Sequence, residues 1–284
     1  LFQMPVEGTN FKKWVLLVSI NPGGPNGGSA TQYFVGNFDG KTFTADSNVT
    51  SWVDYGTDNY AGVTFSNMPT TDGRRIMIGW MSNWNYAGSV PTTSWRSTMT
   101  VPRVVSLVQN ENNFKLRCNP VDELKNYRNQ LSSVIQGTNK NIDLKDNDVI
   151  KSGSYDLSFV ADLSTTDSLR ITTGNLLERL LITFCKKTGS VSIERSHSGW
   201  INFSNFFKEN VNCTSLNLDA DKKLEIRMLV DKTSVELFWN HGENTMTALF
   251  FPVYQYNFLK LDGNTTSAFI SNLTLNGINK SLKR

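Results

Sequence analysis

Apolar and polar residues alternate in short runs along most of the chain, the period-two pattern of half-buried strands, and clusters of Gly, Pro, Asn and Asp separate the runs. In the first part the runs are Lys13 to Ile20, Thr31 to Phe38 and Lys41 to Ala45, then Ala61 to Ser66 and Arg74 to Met81. Asp39-Gly40 and Asp72-Gly73 fall between runs and predict two hairpins. Residues 106 to 130 lose the alternation, and Val121 to Arg128 after Pro120 reads as a linker with a helical turn or two. Alternation returns in Ser154 to Asp162, Ser168 to Thr172, Leu177 to Cys185 and Ser190 to Arg195. It continues in Lys223 to Val230, Ser234 to Trp239, Met246 to Val253 and Ala268 to Leu275. Strands at this spacing, with no helical period between them, predict an all-β chain: propeller-like or sandwich-like sheets first, a β-sandwich second.

Composition divides the chain at the same place. Residues 1–105 hold 13 of the Asp, Glu, Lys and Arg and residues 106–284 hold 40, while the first part has five of the seven Trp and 12 of the 20 Gly. Two units are expected. Net charge is only +3, so no basic stripe for nucleic acid follows. The longest apolar stretches, Trp14 to Val18 and Leu176 to Phe184 (broken by Glu178 and Arg179), are shorter than the ~20 residues of a membrane span. His197 and His241 are the only histidines, which leaves little material for a His-based metal site or a Ser/His/Asp triad. Chemistry should rest on carboxylates and aromatic surfaces, with no metal and no cofactor. Cys118, Cys185 and Cys213 are odd in number and form no CxxC, so free thiols are expected, a Cys185–Cys213 bridge being the alternative. Six N-x-S/T sequons begin at Asn48, Asn202, Asn212, Asn264, Asn272 and Asn279, a number that the Asn, Ser and Thr content alone produces. No signal-peptide pattern precedes Phe2, which suggests a processed or partial N-terminus.

Three segments go beyond pattern. Ser19-Ile-Asn-Pro-Gly-Gly-Pro-Asn-Gly-Gly-Ser29 with Gln32-Tyr-Phe-Val-Gly36 resembles a loop and strand of glycoside hydrolase family 32, the invertases, exo-inulinases and levanases. Asp54-Tyr-Gly-Thr-Asp58-Asn-Tyr60-Ala61 is similar to that family's D-x-G-x-D-x-Y-A segment. Ile78-Gly-Trp80-Met-Ser-Asn83-Trp84 with Trp95-Arg96-Ser-x-Met99-x-x-Pro102-Arg103 resembles its later blades. Val230-Asp-x-x-Ser234-Val-Glu236-Leu-Phe238 and Phe250-Phe251-Pro252 resemble its C-terminal domain more loosely.

The resemblance implies the C-terminal blades of a five-bladed β-propeller over residues 1–107 (the end of blade 3, then blades 4 and 5), a linker over 108–130 and a β-sandwich over 131–284. It further implies a retaining β-fructofuranosidase that releases terminal fructosyl residues from sucrose, inulin or levan, secreted, with a dimer through the sandwich as a candidate assembly. A retaining glycosidase needs two carboxyl groups about 5 to 5.5 Å apart. The family carries them in N-D-P-N and E-C-P motifs, with a further aspartate in R-D-P, and none of the three occurs here. Leu1-Phe-Gln-Met-Pro5 resembles the residues just after E-C-P. The chain is therefore expected to be a fragment, inactive by itself, with no catalytic residue of its own. The competing class is a non-catalytic carbohydrate-binding or adhesive protein built on the same partial propeller and a lectin-like sandwich.

Sugar rings present apolar C–H faces and polar edges, which an aromatic platform rimmed by amides and hydroxyls fits. By its similarity to the family's substrate-contacting tryptophan, Trp80 is the candidate platform, the alternative being a packed strand Trp, and Asn83 lies in the turn beyond it. The resemblance also implies substrate contacts for Asn21, at the leaving-group sugar, and for Tyr60 and Asp58, each with a turn-making or structural alternative. Asp39 and Asp72 read as turn formers, Asp54 as an Asx-turn residue, and Arg96 and Arg103 as structural pairs.

Overall fold

The computed structural model describes residues 1–69, 71–110, 113–214, 216 and 222–279. Among these the chain is all-β, with one four-residue α-helix (Asp148–Lys151) and three short 3₁₀ turns. Strands β1 (Phe2–Pro5), β2 (Lys12–Ile20), β3 (Ala30–Phe38) and β4 (Phe43–Ala45) form an antiparallel sheet in chain order, and β5 (Ser51–Trp52) also pairs with β3. A second sheet comprises β6 (Tyr60–Thr64), β7 (Arg75–Met81), β8 (Thr98–Met99), β9 (Arg103–Asn110) and β10 (Asn113–Pro120), in the order β10-β9-β7-β6 with β8 on β7.

Both expected turns form. Asp39 Oδ1 accepts hydrogen bonds from Lys41 N and Thr42 N, closing the β3–β4 hairpin, and Gly40 has φ +98. Asp72 Oδ1 accepts from Arg74 N, and Gly73 has φ +67. These are positions where only glycine takes the backbone without strain.

The stretch expected to be a linker differs. Arg103 to Pro120 is a hairpin in register from Arg103↔Pro120 to Asn110↔Asn113, with Val105, Leu107, Leu116 and Cys118 buried on one face; residues 111 and 112 lie outside the described residues. Its connection, Gln109 to Asn113, has neither Gly nor Pro, and its turn signal is carried by asparagines alone. Only the 3₁₀ turn Asp122–Tyr127 stands between this hairpin and the next strand. Met4, Val6, Val15, Tyr33, Val35 and Met77 join the hairpin's apolar face in a core that both sheets share.

The remaining strands are β11 (Arg128–Asn139), β12 (Ile142–Lys145), β13 (Tyr155–Asp162), β14 (Ser168–Gly174), β15 (Arg179–Cys185) and β16 (Ser190–Glu194), followed by β17 (Val211–Cys213), β18 (Lys223–Asp231), β19 (Ser234–Trp239), β20 (Asn244–Leu249), β21 (Phe258–Gly263) and β22 (Ile270–Ile278). They build two six-stranded sheets, β11-β22-β13-β18-β19-β20 and β12-β21-β14-β15-β16-β17. One core lies among them, including Leu157, Phe159, Ile171, Phe184, Ile193, Leu237, Trp239 and Leu261, each at most 3% exposed. Strands β11, β12, β17 and β21 were not expected. β11 is a sheet edge with mostly exposed positions, so its sequence lacks the alternation that burial on one face imposes, while β12 and β17, also sheet edges, span only four and three residues. The cysteines are free thiols, so the Cys185–Cys213 bridge does not form.

The two halves meet along β20. Tyr55 N donates to Thr245 O (2.8 Å) and Asp58 N to Thr247 O (3.1 Å), while Thr247 N and Leu249 N donate back to the Asp54 and Asp58 carboxylates. Backbone groups that a sheet edge would leave bare are thereby satisfied by residues 54–58. Gly56 lies so close to the Thr247 backbone that a Cβ would overlap its carbonyl. Met81, Tyr86, Val90, Phe207, Leu249 and Phe251 form a third apolar cluster at the same junction.

Candidate functional site

Trp80 stands near the C-terminal end of β7, half-buried, directly opposite Tyr60 on β6 and Met99 on β8. Cross-strand placement brings the Tyr60 and Trp80 rings to 6.2 Å between centroids in an edge arrangement. The chain turns after Met81 and returns Trp84 against Trp80, centroids 5.0 Å apart at 43°. Tyr60, Trp80 and Trp84 thus make a row of three rings. Trp84 is 58% exposed and Met99 47% exposed, so the row opens to solvent rather than closing into a core.

Of the sequence candidates, the structure brings Tyr60 and Trp80 into contact. Trp84, quoted for the family resemblance but not counted among the binding residues, is the third ring; its four-residue spacing from Trp80 across a turn was the available signal. Asn21 is exposed at the head of the loop leading to β3. That loop is tied to the Trp84 segment: Asn83 Nδ2 donates to Gly27 O (3.2 Å), and Trp84 N donates to Ser29 Oγ (3.2 Å).

Two candidates are corrected. Asn83 is 1% exposed, and its amide is used internally, Nδ2 donating also to Thr57 O (2.9 Å) and Oδ1 accepting from Asn85 N (3.0 Å). It ties segments together instead of facing a ligand. Asp58 is fully buried: Oδ1 accepts from the Tyr86 hydroxyl (2.6 Å), and Oδ2 from Thr57 Oγ1, Leu249 N and Arg195 Nη1. A carboxylate out of water needs such partners, and they occupy both oxygens. Arg195 lies 137 positions away, beyond any local sequence signal.

Arg103 behaves as the structural pair expected of it. Fully buried, it donates from Nη1 to Asp54 (2.8 Å) and from Nη2 to Glu236 (2.6 Å) and Thr247 Oγ1 (2.7 Å). Burial works against a charge on Asp54, but Arg103, Thr247 and Gly56 N outweigh it and hold that carboxyl below its ordinary range. Glu236, on β19, was not assigned a role from sequence. The other carboxylates of the first part also have partners: Glu7 with Arg117, Asp46 with Lys13, Asp72 with Arg74, and Asp39 with its own turn. Among the described residues no group of three or more His, Cys, Asp or Glu could hold a metal ion, and no helix is long and apolar enough to cross a membrane.

An exposed row of aromatic rings at a strand end presents apolar faces to solvent. Comparison with known proteins gives the family: the chain belongs to glycosyl hydrolases family 32, whose N-terminal domain matches residues 1–120 and whose C-terminal domain matches residues 123–276. Levanase of Bacillus subtilis is 32% identical over 295 residues, covering 99% of this chain and 42% of the levanase. The extracellular exo-inulinase of Aspergillus awamori is 33% identical over 266 residues, 89% of this chain and 49% of that protein. The chain therefore spans under half the length of these relatives. The crystal structure of the A. awamori exo-inulinase superposes with a TM-score of 0.85 at 26% identity, covering 99% of this chain and 56% of the other. A β-fructofuranosidase of Schwanniomyces occidentalis in complex with fructosyl-erythritol superposes with a TM-score of 0.81 at 28% identity, covering 98% and 59%.

Proposed function

We propose that this chain is the C-terminal portion of a secreted retaining β-fructofuranosidase that releases terminal fructosyl residues from sucrose, inulin or levan. Its two five-stranded sheets would be later blades of a five-bladed propeller, and its two six-stranded sheets the β-sandwich. The observation that carries the reading is the solvent-facing row Tyr60–Trp80–Trp84 in a chain of this family. In it, the indole of Trp80 would lie against the apolar face of a fructosyl ring, and the loop headed by Asn21 would supply polar contacts at the ring's edge. Relatives named levanase and extracellular exo-inulinase support the substrate class and the compartment.

Double displacement needs one carboxylate to attack the anomeric carbon and one carboxylic acid to protonate the departing oxygen. The 284 residues hold none of the three family motifs that carry such groups, and Asp54 and Asp58 are committed to buried ion pairs. The chain on its own is accordingly a binding surface without hydrolytic chemistry. Two measurements test this. The purified chain should release no fructose from sucrose or inulin above a buffer control, and a fructo-oligosaccharide should perturb its tryptophan fluorescence in wild type but not in Trp80→Ala. Fructose release that Trp80→Ala abolishes would overturn the inactive-fragment reading, and identical titrations of the two proteins would overturn the sugar surface.

A further inference from the structure

Two fully buried arginines join the halves of this molecule, and they differ in what they join. Arg103 runs from Asp54 to Glu236 and touches one of the two segments that carry the aromatic row. Arg195, just after β16, reaches both. Its Nη1 donates to Asp58 Oδ2 (3.1 Å) and Leu249 O (3.2 Å), its Nη2 faces the Tyr86 hydroxyl (3.4 Å), and its Nε donates to Phe207 O (2.9 Å). The guanidinium lies 4.0 Å from the centroid of the Phe207 ring, which presses it in place. Asp58 is two residues before Tyr60, and Tyr86 is two residues after Trp84. Between them runs the 2.6 Å bond from the Tyr86 hydroxyl to Asp58 Oδ1. The spacing of the outer rings therefore depends on a contact that a side chain from the other half completes.

We propose that Arg195 is a positioning residue for the sugar surface: by donating to both Asp58 and Tyr86, it sets the separation of the segments on which Tyr60 and Trp84 stand. This rests on the sugar-surface reading for its consequence, though not for its geometry. A planar fork with donors in fixed directions can serve Asp58, Tyr86, Leu249 O and Phe207 O together, whereas a lysine ammonium is a single point charge on a shorter reach. The half of the chain that carries no ring of the surface would thus decide whether the rings align.

The test uses the full chain and a readout that loss of stability alone does not move. Indoles as close as Trp80 and Trp84 give a coupled band in circular dichroism, which Trp84→Phe identifies. Arg195→Lys, measured where it is folded, should lose roughly half or more of that band and weaken fructo-oligosaccharide binding at least about fivefold. Leu261→Ala is the comparison, a cavity in the core of the second half, destabilised yet expected to keep both the band and the affinity. If Arg195→Lys fails to fold, Tyr86→Phe, which removes the hydroxyl link and keeps the ring, should show the same change. A wild-type band in whichever of these folds, or an equal loss in Leu261→Ala, would overturn the proposal. A wild-type chain that binds no fructo-oligosaccharide would overturn the sugar-surface reading alone, and the band would still decide the role of Arg195.

Discussion

Replacing Arg103 by methionine would leave a shorter, apolar side chain between two buried carboxylates, and what each keeps sets the cost. Asp54 retains donors from Gly56 N (2.8 Å), Thr247 N (2.8 Å) and Thr247 Oγ1 (2.6 Å). Among the described residues Glu236 retains Val101 N (2.8 Å) alone, with its other oxygen stripped of both guanidinium bonds. Removing one partner of a buried ion pair costs about 3–5 kcal/mol, most of it from the charge left behind. Here that residual charge is chiefly on Glu236. Arg103→Met should therefore destabilise the chain by about 4 kcal/mol, and adding Glu236→Gln should restore about 2 kcal/mol by removing the stranded charge. Urea unfolding followed by fluorescence reads both as shifts of the midpoint at constant slope. A loss below about 1 kcal/mol in Arg103→Met, or a double variant no more stable than the single one, would refute the reasoning.

Other expectations follow from the same contacts. Asp54's carboxyl is held below its ordinary range in the folded state, so the stability it contributes is complete above the unfolded value near 3.8 and is lost as pH falls through the depressed folded value; acid unfolding of Asp54→Asn should lack that component. Gly56→Ala should destabilise the junction by roughly 2 kcal/mol or more, since its methyl meets the Thr247 carbonyl, whereas Gly88→Ala, with open space around it, should stay within about 0.5 kcal/mol in the same urea titration. Trp80→Ala in a chain completed with the family's catalytic blades should lower kcat/KM by the equivalent of about 2–4 kcal/mol while the melting temperature holds, because a ring on an open surface touches substrate more than core. Unfolding of Trp80→Ala with full specific activity in its folded fraction would assign that indole to packing.

What could be read from the chain was local. Asp39-Gly40 encodes its own turn, because the carboxylate accepts from the Lys41 and Thr42 amides and glycine takes the positive φ, and the structure reproduces it. The hairpin from Arg103 to Asn110 and Asn113 to Pro120 escaped although Phe114-Lys115-Leu116-Arg117-Cys118 alternates, because its connection has no glycine and the run leads straight into the non-alternating Val121 to Arg128. At the site, Tyr60 and Trp80 were each singled out through the family resemblance, but their contact was not, and register explains why they touch. Asp58 and Asn83 were misread for one reason: a polar residue at a strand end looks the same in sequence whether it faces a ligand or a partner folded back from 26 or 137 positions away. Glu236 and Arg195 had no local sign at all, their meaning lying in which carboxylate or cation the other half of the chain places opposite.

The row of rings is the claim on which the account turns, and the indole N–H resonances test it most directly. With the seven tryptophan signals assigned, titration with a fructo-oligosaccharide should move those of Trp80 and Trp84 and leave Trp200, exposed on the other half, and Trp239, buried in its core, in place. Shifts at Trp200 with Trp80 and Trp84 unmoved would place the sugar elsewhere and contradict the account.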